Sequence, residues 1–254
     1  MKIIRFGIDG RTQWGELLGD TVYTLDDDVY RHIRRTGETF PAGGVSILCP
    51  ASPGKALAIG FNYRDHAQEF HKPLPEAPNV FIKPNSCLIG PDVPVWVPPA
   101  LTKQTEHECE LVVVIGRQAR RVAVDEALHY VFGYTCGNDV TARDMQKPDG
   151  QWSLCKGFDT FGPVGPYIET GADPSALAIE MRVNGEVRQR SNTKNLIFSV
   201  PFLISYLSAY MTLEPGDILF TGTPSGVSPI SDGDILEVCI EGIGVLRNTV
   251  IYVE

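Results

Sequence analysis

Alternate glutamates that run directly into an uninterrupted apolar segment constrain this chain more than any other feature. Residues 106–116 read EHECELVVVIG. The β-branched run at its end reads as a strand whose second half is deeply buried. Residues two apart on a strand share a face. Glu106, Glu108 and Glu110 therefore line up on one side, and His107, Cys109, Leu111 and Val113 on the other. Neighbouring carboxylates on one face lie roughly 7 Å apart, which at an effective dielectric near 20 costs about 2 kcal/mol per pair. On a solvated edge water absorbs that repulsion, and the Glu108/Glu110 pair taken alone favours such an edge. Leading into an apolar run, something positive should absorb it. A hard divalent cation with oxygen ligands is the natural candidate. A further carboxylate follows at Asp139 in GNDVTARD, and an isolated lysine at Lys156 in SLCKGFDTFGP. Lys156 has no acidic residue within two positions, so its local sequence offers no ion-pair partner, and a buried lysine without one loses its proton.

The chain's 254 residues suffice for one large domain with a small appendage. A formal charge of −9 argues against a nucleic-acid binder, since no basic stripe is available for phosphates. It leaves room for an anionic substrate, because a metal and a few cations can dominate a pocket. The cysteines at 49, 87, 109, 136, 155 and 239 show no CxxC spacing and read as reduced thiols of a cytoplasmic protein. The opening MKIIRFGIDG has charges inside its apolar run and is no signal peptide, and no stretch approaches a membrane span.

Taken in order, residues 2–8, 14–18 and 21–25 read as a strand meander with a turn at Asp9–Gly10, followed by a short helix near 29–34. This small N-terminal β-rich subdomain, 1–50, is expected to be structural, with a boundary at Pro50 to Pro53 before a domain spanning 51–254. A strand over 55–60 leads to a short helix capped by Asp65, with His66 and Glu69 on one face. A histidine oriented by a carboxylate suits a general base, although spacing alone favours an ordinary surface pair. Further strands are expected at 79–83, ending on Lys83, and at 134–139, with a helix at 125–131 between them. Thr141 and Asp144 form an expected capping box opening a helix that would present Arg143 and Gln146 together. Asn184–Gly185 predicts a hairpin between 178–183 and 186–190. Ser199 should cap one long helix, to about Met211, whose stripe Phe202, Leu203, Tyr206, Leu207 and Tyr210 is core. GTPSG at 222–226 lacks nucleophile-elbow spacing, and Walker A, GxGxxG and HExxH motifs are absent, so no serine triad is expected.

The ordered set E-x-E, NDVTARDMQ and KGFDTFGP resembles the fumarylacetoacetate hydrolase family. GFNYRDHAQE, PNVFIKP, VNGEVRQ, LEPGDILFTGTPSGV and IEGIGVLRNTV extend the resemblance from Ala56 to the C-terminus. It implies an α+β, strand-rich fold with a mixed β-roll or barrel-like core and short helices, commonly as a homodimer. It also implies Mg²⁺ or Mn²⁺ (Ca²⁺ in a crystal) on Glu108, Glu110 and Asp139. Lys156, His66 and Glu69 become the catalytic residues, and Arg143, Gln146, Thr223 and Lys83 contact substrate. The short helix and the loop at 71–78 would close over it, while the loop at 147–153 bears on substrate range. The implied partner is a small anionic 2-oxo acid, with neither nucleic acid nor membrane. The chemistry runs through an enolate, as C–C hydrolysis, decarboxylation or isomerisation, in aromatic-compound or 2-oxo-dicarboxylate breakdown. A metal-binding member with little catalysis is the second reading. Against it stands the completeness of the set, with the carboxylates, Lys156 and the His66/Glu69 pair all present.

Overall fold

A computed structural model describes residues 1–69, 73–147 and 151–254. Two open sheets dominate it. The larger runs in spatial order Arg35–Pro41, Thr21–Leu25, Arg11–Leu18, Lys2–Ile8, Gly162–Glu169, Val131–Asn138, Cys109–Ile115, Ile218–Phe220, Ala56–Gly60 and Asn79–Lys83. The smaller runs Glu186–Asn192, Ala178–Val183, Ile235–Ile240, Gly244–Tyr252 and Val95–Val97. The strand-rich expectation holds, but the sheets end in free edges and no barrel closes among the described residues. No helix described is long and apolar enough to cross a membrane.

The acidic strand lies inside the larger sheet. Cys109–Ile115 pairs with Val131–Asn138 on one side and Ile218–Phe220 on the other, and all its residues are buried. Both faces are covered, so its apolar run needs no alternation. Ile218–Phe220 pairs in parallel with Ala56–Gly60, which delivers the GFNY turn to the same end of the sheet.

The N-terminal strands form the expected meander, with left-handed Asp9 and Gly10 at its first turn. They do not stand apart from the rest. Lys2 and Ile3 pair with Glu169 and Ile168, so the meander continues the main sheet. The helix expected near 29–34 is absent, and Arg35–Pro41 is instead a strand on Thr21–Leu25. The segment at Val124–Tyr130 winds as 3-10 rather than α-helix. The capping box at Thr141 also fails. Thr141–Ala142 pairs with Thr105–Glu106, and only a three-residue 3-10 turn, Arg143–Met145, follows. The carboxylate of Asp144 is taken by Thr102 and the Lys103 amide.

Asn184 and Gly185 are both left-handed and close the predicted hairpin, Val183 opposite Glu186. The long helix is Val200–Tyr210, without a side-chain cap from Ser199. It buries Val200, Leu203, Ile204 and Leu207, not the whole predicted stripe. Phe202 and Tyr210 are exposed; Phe198, Phe202 and Tyr206 stack successively along the outer side, and Tyr210 meets Tyr206 at a tilt. A helix apolar nearly all round offers two i,i+4 stripes, and periodicity does not choose between them.

Candidate active site

Glu108, Glu110 and Asp139 converge at one end of the main sheet. One carboxylate oxygen from each lies within 4.8 Å of the others, and all three side chains are buried. The first two come from the acidic strand and its approach. Asp139 follows the paired strand Val131–Asn138, where its amide donates to the Glu108 carbonyl at 2.9 Å. Register therefore sets the cluster, through Cys109 opposite Asn138 and Glu110 opposite Gly137. Glu106 does not join it. The chain breaks strand geometry between Glu106 and Cys109, and Glu106 turns to Arg143, accepting from Nε at 2.7 Å.

Two buried lysines and a partly buried arginine face these acids. Lys156 sits at the end of the short helix Ser153–Lys156 and donates to Glu108 Oε2 at 2.7 Å and Asp139 Oδ2 at 2.6 Å. Burial alone would depress its pKa, but Asp139 and Glu108 outweigh burial and raise it. The expectation of a partnerless lysine is thereby overturned, because its partners lie far along the chain. Arg143 donates through Nη2 to Glu108 Oε1 at 2.5 Å and through Nη1 to Gln146 Oε1 at 2.5 Å. Lys83, expected beside substrate, is instead wholly enclosed behind Asp139. Its ammonium donates to Asp139 Oδ1 at 2.6 Å and the Lys156 carbonyl at 2.5 Å.

The two glutamates of the triad differ electrostatically. Burial raises the Glu108 carboxyl, but Lys156 and Arg143 win and hold it well below the usual carboxylate range. Glu110 goes the other way: burial, then Asp139 and Glu108, push it well above that range. It accepts a hydrogen bond from the Gly222 amide at 2.6 Å. Gly222 can present that amide because its φ is +100°, and a Cβ there would strike Asn62 Cβ at 2.7 Å.

A narrow cavity of about 20 Å³ opens on this cluster, lined by Phe61, His66, Glu108, Asp139, Arg143, Gln146, Trp152, Lys156 and Thr223 among others. His66 comes from the helix Arg64–Glu69, stacks on Phe61, and holds Nδ1 3.1 Å from Glu69 Oε2. Burial pulls the imidazole pKa below its ordinary value against the pull of Glu108 and Glu69. Glu69 also accepts from the Gly226 amide at 3.1 Å, and Asp65 accepts from Ser191 Oγ at 2.6 Å. The loops expected at 71–78 and 147–153 include residues 71–72 and 148–150, which lie outside the described residues. Trp152 and Phe61, whose rings meet edge to face, were not singled out from sequence. Thr141 was expected only as a helix cap, yet its hydroxyl donates to Glu108 Oε1 at 3.1 Å. No local pattern marks these roles; only the contact does.

Residues 55–251 match the fumarylacetoacetate (FAA) hydrolase C-terminal family, and residues 1–50 the Rv2993c-like N-terminal family. The chain belongs to the fumarylacetoacetate hydrolase family. It is 46% identical over 209 residues to a 2,4-didehydro-3-deoxy-L-rhamnonate hydrolase of Sphingomonas, covering 78% of this chain and 73% of that one. Among solved structures it is similar to a 5-carboxymethyl-2-hydroxymuconate delta-isomerase from Mycobacterium smegmatis, with 41% identity, full coverage of both chains and a TM-score of 0.94. It is also similar to a maleylpyruvate hydrolase from Sphingobium in complex with Mn²⁺ and pyruvate, with 30% identity, full coverage of both chains and a TM-score of 0.82. Fumarylacetoacetate hydrolase family members thus include isomerases and hydrolases of oxo acids.

The donor set fits a divalent ion. Its ligands are all hard oxygens. Counted as ionised, Glu106, Glu108, Glu110 and Asp139 exceed Lys83, Lys156 and Arg143 by one negative charge. Among the described residues no cation bonds Glu110, and burial, then Asp139 and Glu108, raise its carboxyl. A divalent ion turns the excess into one positive charge, suited to an anionic ligand.

Proposed function

We propose that this protein is a Mg²⁺- or Mn²⁺-dependent enzyme that acts on a small anionic 2-oxo acid through an enolate. The observation that carries the reading is the buried triad of Glu108, Glu110 and Asp139 with the Lys156 ammonium bonded to two of its members. The ion, held by those three carboxylates, supplies Lewis-acid stabilisation of negative charge on oxygen. Lys156 adds a fixed positive charge beside the same carboxylate oxygens, where an enolate would build up. Its two ion pairs orient it in advance, so little reorganisation is needed as charge develops. Arg143 fixes Gln146 by its carbonyl oxygen, which assigns the other end of that amide as a donor. Lys83 anchors Asp139 and the Lys156 backbone from behind. His66, oriented by Glu69 at Nδ1, is the group proposed to activate water or move a proton.

Three outcomes share that enolate: C–C hydrolysis, decarboxylation and isomerisation. The names of the relatives support the first and third, and the proposed role is in breakdown of aromatic compounds or 2-oxo dicarboxylates. A panel of oxaloacetate, acetylpyruvate, fumarylpyruvate and a carboxymethyl-oxo-hexenedioate tests the proposal, read by loss of enol absorbance. Turnover of at least one compound is expected, abolished by a chelator and restored by Mg²⁺ or Mn²⁺. Silence on every compound sinks it. Calorimetric titration of Mn²⁺ into Glu108→Ala and Asp139→Ala tests the ligand set, and unchanged affinity in both variants ends that assignment.

A further inference from the structure

Behind the cavity wall runs a chain of buried polar groups that the proposed chemistry does not use. Gln189 lies at its centre, 1% exposed in the hairpin strand Glu186–Asn192, with exposed Arg188 and Arg190 beside it. It belongs to the smaller sheet, yet its amide reaches across to the acidic strand of the larger one. Oε1 accepts from the Cys109 amide at 3.0 Å and lies 2.9 Å from His107 Nδ1. Nε2 donates to Thr223 Oγ1 and to the Pro224 carbonyl, both at 2.8 Å.

Backbone groups at both ends dictate the polarity of this network. The Cys109 amide only donates and the Pro224 carbonyl only accepts, so the Gln189 amide has one orientation. His107 must then carry its hydrogen on Nδ1, and its Nε2, 2.8 Å from Ser228 Oγ, accepts from that hydroxyl. Gln189 Nε2 can take no hydrogen from Thr223. The Thr223 hydroxyl therefore keeps its own hydrogen for an acceptor, which in this structure is the Cys109 carbonyl at 2.9 Å. Thr223 also lines the cavity, where an anionic ligand oxygen would be a stronger acceptor than that carbonyl. A bond donated into the oxygen of a hydroxyl polarises its O–H and strengthens it as a donor.

We propose that Gln189 is a positioning residue that holds Thr223 as a hydrogen-bond donor toward the carboxylate of a bound 2-oxo acid. The proposal rests on the reading of the cavity as a 2-oxo-acid site. The competing role is purely structural: a staple between the hairpin and the acidic strand. A double-mutant cycle separates them. Pyruvate is titrated calorimetrically into the Mn²⁺-loaded protein carrying Thr223→Val, Gln189→Met, or both, with Mn²⁺ affinity and melting temperature recorded for each. Thr223→Val should weaken pyruvate about tenfold, the scale of one hydrogen bond to a charged group. Gln189→Met should weaken it several-fold in the wild-type background and have no further effect beside Thr223→Val. Gln189→Leu repeats the cycle if the Met variant does not fold. Equal factors in both backgrounds, or no effect in either, make Gln189 a staple and overturn the proposal. Unchanged pyruvate affinity in Thr223→Val removes Thr223 as a ligand contact and the proposal with it, while metal-dependent turnover on the panel still supports the proposed function. A wild-type protein that binds Mn²⁺ but no pyruvate overturns both.

Discussion

The wall of this cavity and the short helix beside it, the proposed lid, are built to different standards. On the wall, Glu108, Glu110, Asp139 and Lys156 are all at most 5% exposed. Paired strands, the GTP turn and the Ser153–Lys156 helix hold them, and most make two or more charged hydrogen bonds. The proposed lid, helix Arg64–Glu69, is six residues long, too short to be stable alone. Its outward ties among the described residues include Ser191 to Asp65, the His66 stack on Phe61, and the Gly226 amide to Glu69, whose side chain is 36% exposed. The contrast matches two different tasks. Stabilising charge requires groups already in place before the charge appears. Admitting substrate requires an element that opens at modest cost.

Breaking the wall should have the largest effect. Lys156→Met leaves Glu108 with Arg143 and Asp139 with Lys83, but strips each of one buried charge partner. We expect a stability loss of about 3 kcal/mol, offset when Mn²⁺ is present. Metal binding should be retained, with kcat lower by at least about two orders of magnitude. Melting with and without Mn²⁺, together with steady-state kinetics, checks this. If kcat survives and only KM rises, Lys156 is a binding residue.

At the lid, His66→Ala should lower turnover by about a hundredfold with unchanged Mn²⁺ affinity. The sign of the pH effect follows from burial, which depresses the folded imidazole below its ordinary value. Folded protein with the lid closed then holds the neutral form, while an open or unfolded lid takes up a proton first. Closure is favoured most above about pH 6.5 and weakens as pH falls toward the folded value. The wild-type kcat/KM profile should therefore carry an acid limb below that pH, absent in His66→Ala. A variant that keeps both the limb and full turnover returns His66 to an ordinary buried histidine.

The smallest effect sharpens the comparison most. Ser191→Ala removes one tie between the hairpin and the lid while Asp65 keeps its bond from the His66 amide. Closure should weaken by about 1 kcal/mol, the net value of one hydrogen bond. That is a rise of several-fold in KM with kcat nearly unchanged. An equal fall in kcat with KM constant would mean that the lid and the wall act as one body.

Local pattern determined a good deal of this protein. The apolar run after Glu110 specified a buried strand, and Asn184–Gly185 specified the hairpin, because each depends on residues within a few positions. The motif order carried the family resemblance, and with it the candidate residues. Local pattern misled where several local solutions compete. Thr141 and Asp144 have capping-box spacing, yet Thr141 is taken by Glu108 and Asp144 by Thr102, and no α-helix starts there. The aromatic stripe of Val200–Tyr210 lost the core to the neighbouring aliphatic one. Only the tertiary structure decided which charges meet. Lys156 finds Glu108 across 48 residues, Lys83 finds Asp139 across 56, and Gln189 finds Cys109 across 80. Glu106 and Glu108 look equivalent in sequence, but the break in strand geometry between Glu106 and Cys109 sends one to Arg143 and leaves the other in the acidic cluster. Such pairings depend on register between strands distant along the chain, and a carboxylate's pKa depends on every charge and dipole within reach in space, which no spacing along the chain encodes.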